Sequence, residues 1–493
     1  PLPFIELSSI TKRYAGVTAL DSVDFAVSPG EAVCIAGENG SGKSTLIKII
    51  SGVEQPTEGV IRIGGEPIAR NGPRLASDKG VMVIFQDFSL FPNVSVAENI
   101  ALPTQMSAGR RLFDRRGARK SAAAVLERIG VTIDLRARVE ELPVAQKQLV
   151  AIARALASDA QLIIMDEPTT ALTEKEVTRL LGIIRRLKDD GVAVIFVSHK
   201  LAEVLEVSER VVVLRNGRKV AEGPAADFDT TSLTYHMTGR DVPEETPTPL
   251  APGAAPLMTV SDLNKEGVFR DIRFTLHEGE ILGITGLLGS GRTSLAKALF
   301  GLVRPDSGSL TVDGQEVPLG DPIATAVARI GYVPEDRLTE GLFLTQSIIR
   351  NVAIGRLDAH SQRGVLDRAQ LLEEASEWIR RLKVKAPDLQ AAVTSLSGGN
   401  QQRVALARWL SREPRVLILK GPSVGVDVGS KADIHAIILD LAEHGIGVSV
   451  ISDDLPELLT TCHRILVRRE GRITDELDRQ ATNEADLSHR LAS

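Results

Sequence analysis

Residues 37–44 read Gly37-Glu38-Asn39-Gly40-Ser41-Gly42-Lys43-Ser44, with Thr45 following. In this pattern successive backbone N–H groups wrap phosphate oxygens. Lys43 reaches the outer phosphates and the Ser44 hydroxyl faces Mg²⁺. The flanks agree, because an apolar strand-like run (AVCIAG) precedes the loop and a helical run (STLIKIIS) follows it. Gly286–Thr293 (GLLGSGRT) keeps the glycines but places Arg292 where the first loop has lysine, with Thr293 after it. One phosphate loop is intact and one is altered.

Carboxylates stand where such a loop needs them. The apolar run Leu162–Met165 ends in Asp166-Glu167. Asp166 is placed to hold Mg²⁺ through its water shell, and Glu167 to polarise an attacking water. Gln86, after Val81–Phe85, could touch Mg²⁺ or that water, and His199, after Val192–Ser198, could contact a γ-phosphate. Tyr14 precedes the first loop and could stack on a purine. Each also has a plainer reading, as a solvated turn, a surface glutamine, a structural histidine or a core-capping aromatic.

The elements that position these groups are written twice. DFAVSPGE (24–31) recurs as RFTLHEGE (273–280), SGVEQPTEG (51–59) as FGLVRPDSG (300–308), and SVAENIA (95–101) as SIIRNVA (347–353). LIIMDEP (162–168) returns as LILKGP (417–422), one residue shorter, and VVLRNG (212–217) is answered by VRREG (467–471). Two homologous domains follow, at 4–240 and 257–493. They are joined by 241–256, whose Pro- and Ala-rich stretch (VPEETPTPLAPGAAP) reads as an extended, exposed linker. Strand-like runs (33–36, 161–165, 193–197, 211–214) alternate with helical stretches such as 44–51, which indicates an α/β domain with a mainly parallel core sheet. Between about 91 and 157 the pattern turns helical, as expected of an inserted helical subdomain.

With 43% hydrophobic and 25% charged residues, the 493-residue chain is globular and long enough for two cores. Its net charge of −6, with both signs interleaved, argues against nucleic acid as a partner. No apolar run approaches the roughly 18–20 residues that span a bilayer, and the first residues lack the pattern of a signal peptide. Cys34 and Cys462 lie in apolar contexts in different halves, so two buried, reduced thiols are expected.

Leu396-Ser397-Gly398-Gly399-Asn400-Gln401-Gln402 adds the deciding pattern. It resembles the LSGGQ signature of ABC-type ATPases, where a serine hydroxyl and a helix N-terminus make a γ-phosphate site. The second loop and the GVDVG run (425–429) narrow the resemblance to the tandem ATPases of bacterial monosaccharide importers, the ribose/galactose/arabinose/xylose group. The resemblance implies two P-loop NTPase domains packed head to tail, ATP and Mg²⁺ as cofactors, and attachment to the cytoplasmic face of the cell membrane. It also implies integral-membrane permease partners and, through them, a solute-binding protein that together choose the solute.

Carried over residue by residue, site one combines Tyr14, Lys43, Ser44, Gln86, Asp166, Glu167 and His199 with Ser397, Gly398, Gly399, Asn400 and Asp427 of the second domain. Site two combines Arg292 and Thr293 with 142–146 (LPVAQ), where Pro143 replaces the signature serine. Lys420-Gly421 stands where Asp-Glu is expected, Asp453 stands where the histidine is expected, and no aromatic matches Tyr14. Metal-assisted hydrolysis is not expected there. Either Lys420 pairs with phosphate oxygens in a metal-free site, or it has drifted to point into solvent. Permease contacts are expected near 86–92 and 332–341, including Glu335 and Arg337. A soluble tandem ATPase acting on ribosomes and a purely regulatory nucleotide-binding protein are the competing functions. The short linker without a basic cluster disfavours the former, and the intact Glu167 and His199 disfavour the latter.

Overall fold

The computed structural model describes residues 2–85, 88–107, 113–169, 172, 174–198, 205–206, 208–242, 246–251, 253–287, 289–362, 365–386 and 388–492. Gln86 and His199 lie outside this set. The chain divides into two compact units, Pro1–Val242 and Pro243–Ser493.

Unit 1 begins with β1 (Ile5–Tyr14), β2 (Val17–Val27), β3 (Ala32–Ala36), α1 (Lys43–Ile50), β4 (Glu58–Ile63), β5 (Glu66–Ile68), α2 (Pro73–Asp78) and β6 (Val81–Ile84). A helical stretch follows, with α3 (Val96–Ser107), α4 (Arg115–Arg128) and α5 (Val144–Ala157). It then returns to the sheet through β7 (Leu162–Asp166), α6 (Glu174–Asp189), β8 (Ala193–Val197), β9 (Arg210–Arg215), β10 (Arg218–Pro224) and α7 (Thr230–Thr238). The core sheet runs β10-β9-β3-β8-β7-β6, parallel except for β10, and β2-β1-β4-β5 form a separate antiparallel sheet. All five residues of both β3 and β8 are buried, the pattern of parallel strands covered on two faces. Helix α6 turns Leu180, Ile183, Ile184 and Leu187 inward at helical spacing.

Unit 2 repeats the plan with β11 (Pro256–Lys265), β12 (Phe269–His277), β13 (Ile281–Gly286), α8 (Arg292–Leu299), β14 (Ser307–Val312), β15 (Gln315–Glu316), α9 (Pro322–Val327) and β16 (Ile330–Val333). Its helical part holds α10 (Ile348–Ala353), a small hairpin of β17 (Ser361–Gln362) and β18 (Val365–Leu366), α11 (Arg368–Arg381) and α12 (Gly398–Leu410). It closes with β19 (Val416–Lys420), α13 (Val428–Glu443), β20 (Gly447–Ile451), α14 (Leu455–Thr461), β21 (Arg464–Arg469), β22 (Arg472–Asp478) and α15 (Glu484–Ala492). The core sheet order β16-β19-β20-β13-β21-β22 mirrors that of unit 1. Both units are therefore α/β with a mainly parallel core sheet and an inserted helical part.

One repeat reads differently in three dimensions. Strand β19 starts at Val416, so residues 416–422 match 162–168 position for position and nothing is missing. The described linker residues are mostly exposed and carry no helix or strand until β11 begins at Pro256. They are fastened to unit 2, where the Thr248 carbonyl oxygen lies 2.8 Å from His463 Nε2 and the Thr248 hydroxyl 3.2 Å from a Glu443 carboxylate oxygen. Both cysteines are free and fully buried, and burial pushes the Cys34 thiol up to about 12.

The repeated asparagine has a physical reason. Asn99 Oδ1 accepts from the Phe91 amide and its Nδ2 donates to the Phe91 carbonyl, each at 2.9 Å. Asn351 does the same to Phe343. Each buried amide thus clips the segment that follows β6 or β16 to a helix. Unit 2 adds Arg408, which donates to Asn351 Oδ1, the Asn351 carbonyl and the Gly341 carbonyl, while burial lowers its pKa to about 10. Asn99→Leu should cost about 1–3 kcal/mol, and Asn351→Leu more, because it also takes from the buried Arg408 Nη2 its side-chain acceptor. Urea unfolding of both variants checks the ranking, and an equal loss would contradict it.

Candidate nucleotide site

The first phosphate loop joins β3 to α1, and its geometry depends on glycine. Gly42 caps α1 at φ 106°, where a Cβ would stand 2.7 Å from both the Ala19 carbonyl oxygen and a Leu20 methyl. Gly37, at φ 153°, would collide with the Leu214 carbonyl at 2.4 Å. Lys43 lies across the loop, its Nζ donating to the carbonyls of Gly37 (2.6 Å) and Glu38 (2.8 Å). Ser44, Asn39 and Gly40 are exposed, Glu38 and Thr45 half-buried, and Ser41 buried. The loop presents amides and a cation at the tip of a central strand, an arrangement that takes a phosphate chain.

Parallel register brings the carboxylates to the same edge. Asp166 pairs with Val197 and Ile35 with Val197, so the tips of β3, β7 and β8 are level. The Asp166 carboxyl is raised above the usual range by burial and by Glu167, with Lys43 opposing. Glu167 leaves the strand in a left-handed conformation (φ 49°), its amide donating to the Val197 carbonyl at 2.9 Å. Tyr14 ends its strand exposed, with Lys12 Nζ 5.0 Å from its ring centre. Strand β11 has the ten residues of β1 but ends in Lys265 where β1 ends in Tyr14.

Unit 2 places different chemistry on the same backbone. Gly421 takes the position and conformation of Glu167, at φ +52° with its amide donating to Ile451 O at 2.8 Å. Lys420 takes the position of Asp166. It is half-buried and ion-paired with Glu335, which excludes the reading that it points into solvent. Glu335 itself stands two residues past β16, as Gln86 does past β6. Arg292 Nη2 approaches Asp453 Oδ2 at 3.4 Å, while Thr293 is exposed.

Arg337 does not fit the permease contact expected of it, whereas Glu335 keeps an exposed side chain beside Lys420. Arg337 is 8% exposed and donates to the carbonyls of Val424 (2.7 Å) and Gly425 (3.0 Å). A guanidinium that closes two backbone acceptors inside its own unit has no reach left for a partner.

The signature opens α12 with Ser397 exposed at its N-cap. Asn400 Nδ2 donates to Ser397 Oγ at 2.9 Å and its Oδ1 accepts from the Lys385 amide, so Asn400 orients the serine. Gly398 and Gly399 are packed tightly: a Cβ would meet the Gly425 carbonyl at 2.6 Å in one and Ser430 Oγ at 2.1 Å in the other. Asp427 is the N-cap of α13, accepting from the Ser430 amide. In unit 1, Pro143 stands at the N-cap of α5 and gives no side-chain cap. The clamps by Arg154 and Arg408 left no motif in the sequence. Arg154, on α5, donates to the carbonyls of Phe88 and Ser89, tying the signature helix to the segment after β6 as Arg408 does in unit 2.

The family described as ABC transporter matches this chain twice, at residues 20–170 and 269–423. The chain belongs to the ABC transporter family of ATP-binding proteins. It is similar to the ribose import ATP-binding protein RbsA 2 of Streptomyces avermitilis, at 41% identity over 99% of this chain and 97% of that one. The ribose import ATP-binding protein RbsA 1 of Rubrobacter xylanophilus is 43% identical over 98% of this chain and 97% of its own. A solved dimeric structure of a bacterial ABC transporter cassette is 31% identical, with a TM-score of 0.41 over 45% of this chain and 98% of that one. The chain is accordingly an ATP-binding ATPase. No described helix is long and apolar enough to cross a membrane.

The left-handed turn at Glu167 has a measurable consequence. A non-glycine residue there is strained, and its charge lies beside Asp166. Glu167→Gly, the residue of unit 2, should raise the thermal midpoint by roughly 1–3 °C while abolishing hydrolysis. A lower midpoint would mean that the glutamate side chain stabilises the turn.

Proposed function

We propose that the chain is two ATP-binding cassettes, 4–240 and 257–493, joined through 241–256, and that it drives uptake of a monosaccharide or small polyol. The observation that carries this is the level edge of β3, β7 and β8, which holds Lys43, Asp166 and Glu167 together. The relatives' names, for import of ribose or of ribose, galactose and methyl galactoside, support the solute class, and import in turn calls for membrane permease subunits with a solute-binding protein upstream. Such a subunit works at the cytoplasmic face of the membrane. None of these names supports action on ribosomes.

In this reading Lys43 and the amides of 38–45 bind the β- and γ-phosphates and Tyr14 stacks on the base. Glu167 accepts the proton of the attacking water. Gln86 and His199, by their sequence positions, complete the γ-phosphate end. Ser397, oriented by Asn400, supplies a hydroxyl at a helix start for a γ-phosphate, with Gly398, Gly399 and Asp427 shaping that start. Ser44 and Asp166 fit Mg²⁺, since a hydroxyl and a half-buried carboxylate of raised pKa gain from a nearby dication. Bound there, the ion supplies charge neutralisation along the phosphates. In unit 2 the lysine at position 420 does not fit it.

Glu167→Gln should keep ATP binding and lose hydrolysis by roughly 10²-fold or more. Residual steady-state turnover above about a tenth of wild type would sink the assignment. In the assembled transporter, Ser397→Ala should lower ATPase strongly and Pro143→Ser hardly at all. The reverse ranking would place the working site at the other loop.

A further inference from the structure

Arg468 is the largest fully buried side chain among the described residues, and all three of its guanidinium nitrogens lack a hydrogen-bond partner there. It lies on β21, opposite Gly286 of the phosphate loop in the strand register. Its Nη2 is 3.6 Å from where a Cβ on Gly291 would be, and burial first, then the like charge of Arg292, disfavours its charged form. Unit 1 has Leu214 at this place, within its apolar core. Burying an unpaired guanidinium beside a second arginine, at the N-terminus of eight-residue α8, raises positive charge where the helix dipole already adds some. An anion held by the loop would offset this.

The adjacent cleft, about 410 Å³, is lined by Thr293, Tyr332, Glu335 and Lys420 among others. The Tyr332 hydroxyl is buried without a partner. The ammonium of Lys420 occupies the position of the metal-holding aspartate and is tethered by Glu335. Asp453 and Glu335 answer Arg292 and Lys420, Glu340 answers Lys297, and Arg337 has the carbonyls of Val424 and Gly425, whereas Arg468 has neither an acceptor nor a carboxylate among the described residues.

We propose that the second loop is a metal-independent site for a polyphosphate chain, in which Arg468 supplies charge from beneath the loop and Lys420 stands in for the divalent cation. The site retains its ligand uncleaved, because Gly421 offers no base. This goes beyond the proposed function and uses unit 2 alone, so it stands or falls separately from hydrolysis at Glu167.

The test uses the full chain with Lys43→Ala to silence the first loop, excess EDTA, and a fluorescent ATP analogue. Saturable binding is expected to survive chelation. Displacement by inorganic tripolyphosphate assigns recognition to the phosphates alone, and displacement by ATP only assigns it to a nucleoside triphosphate. Arg468→Leu should weaken binding at least tenfold, raise the thermal midpoint of the ligand-free chain, and erase the ligand-induced rise. Lys420→Asp should make binding magnesium-dependent. No chelator-resistant binding, or unchanged affinity in Arg468→Leu, overturns the proposal.

Discussion

Everything at the nucleotide edge depends on parallel strands that end together. The amide after β7 donates to the carbonyl at the end of β8, and the equivalent bond from Gly421 to Ile451 recurs in unit 2. This bond turns the chain out of the sheet in a left-handed step at the level of the phosphate loop. Continuous apolar runs, buried on both faces, keep the register from slipping.

The two units show how one backbone carries opposite chemistry. Unit 1 accepts strain at Glu167 and like charge at Asp166. Unit 2 removes the strain with Gly421 and replaces the carboxylate by a lysine with its own partner. The clash-limited glycines remain in both loops, since Gly286 would meet the Arg468 carbonyl at 2.7 Å much as Gly37 meets Leu214. Loss of the acidic pair has therefore left the phosphate-wrapping geometry in place.

Arginines on the signature helices connect distant motifs. Arg154 and Arg408 hold the carbonyls of the segments after β6 and β16, so a shift of either helix pulls on the segment that begins with Gln86 or Glu335. Burial lowers the pKa of both, which shows that they are enclosed by the contact rather than resting on a surface.

Residue types and their spacing were enough to reveal the duplication, the α/β class, the phosphate loops and the carboxylate pair, because each depends on local chemistry or on a strand-length period. The signature was legible for the same reason. Partnerships between residues far apart in sequence were not. Arg337 looked like an exposed loop residue until the fold gave it the carbonyls of Val424 and Gly425, and Lys420 looked adrift until the sheet set Glu335 beside it. Arg468, within an ordinary strand pattern, gave no sign of being buried beneath a phosphate loop. Charge is a property of the sequence, but whether a charge is paired, buried or left for a ligand depends on long-range packing, which only the tertiary structure decides.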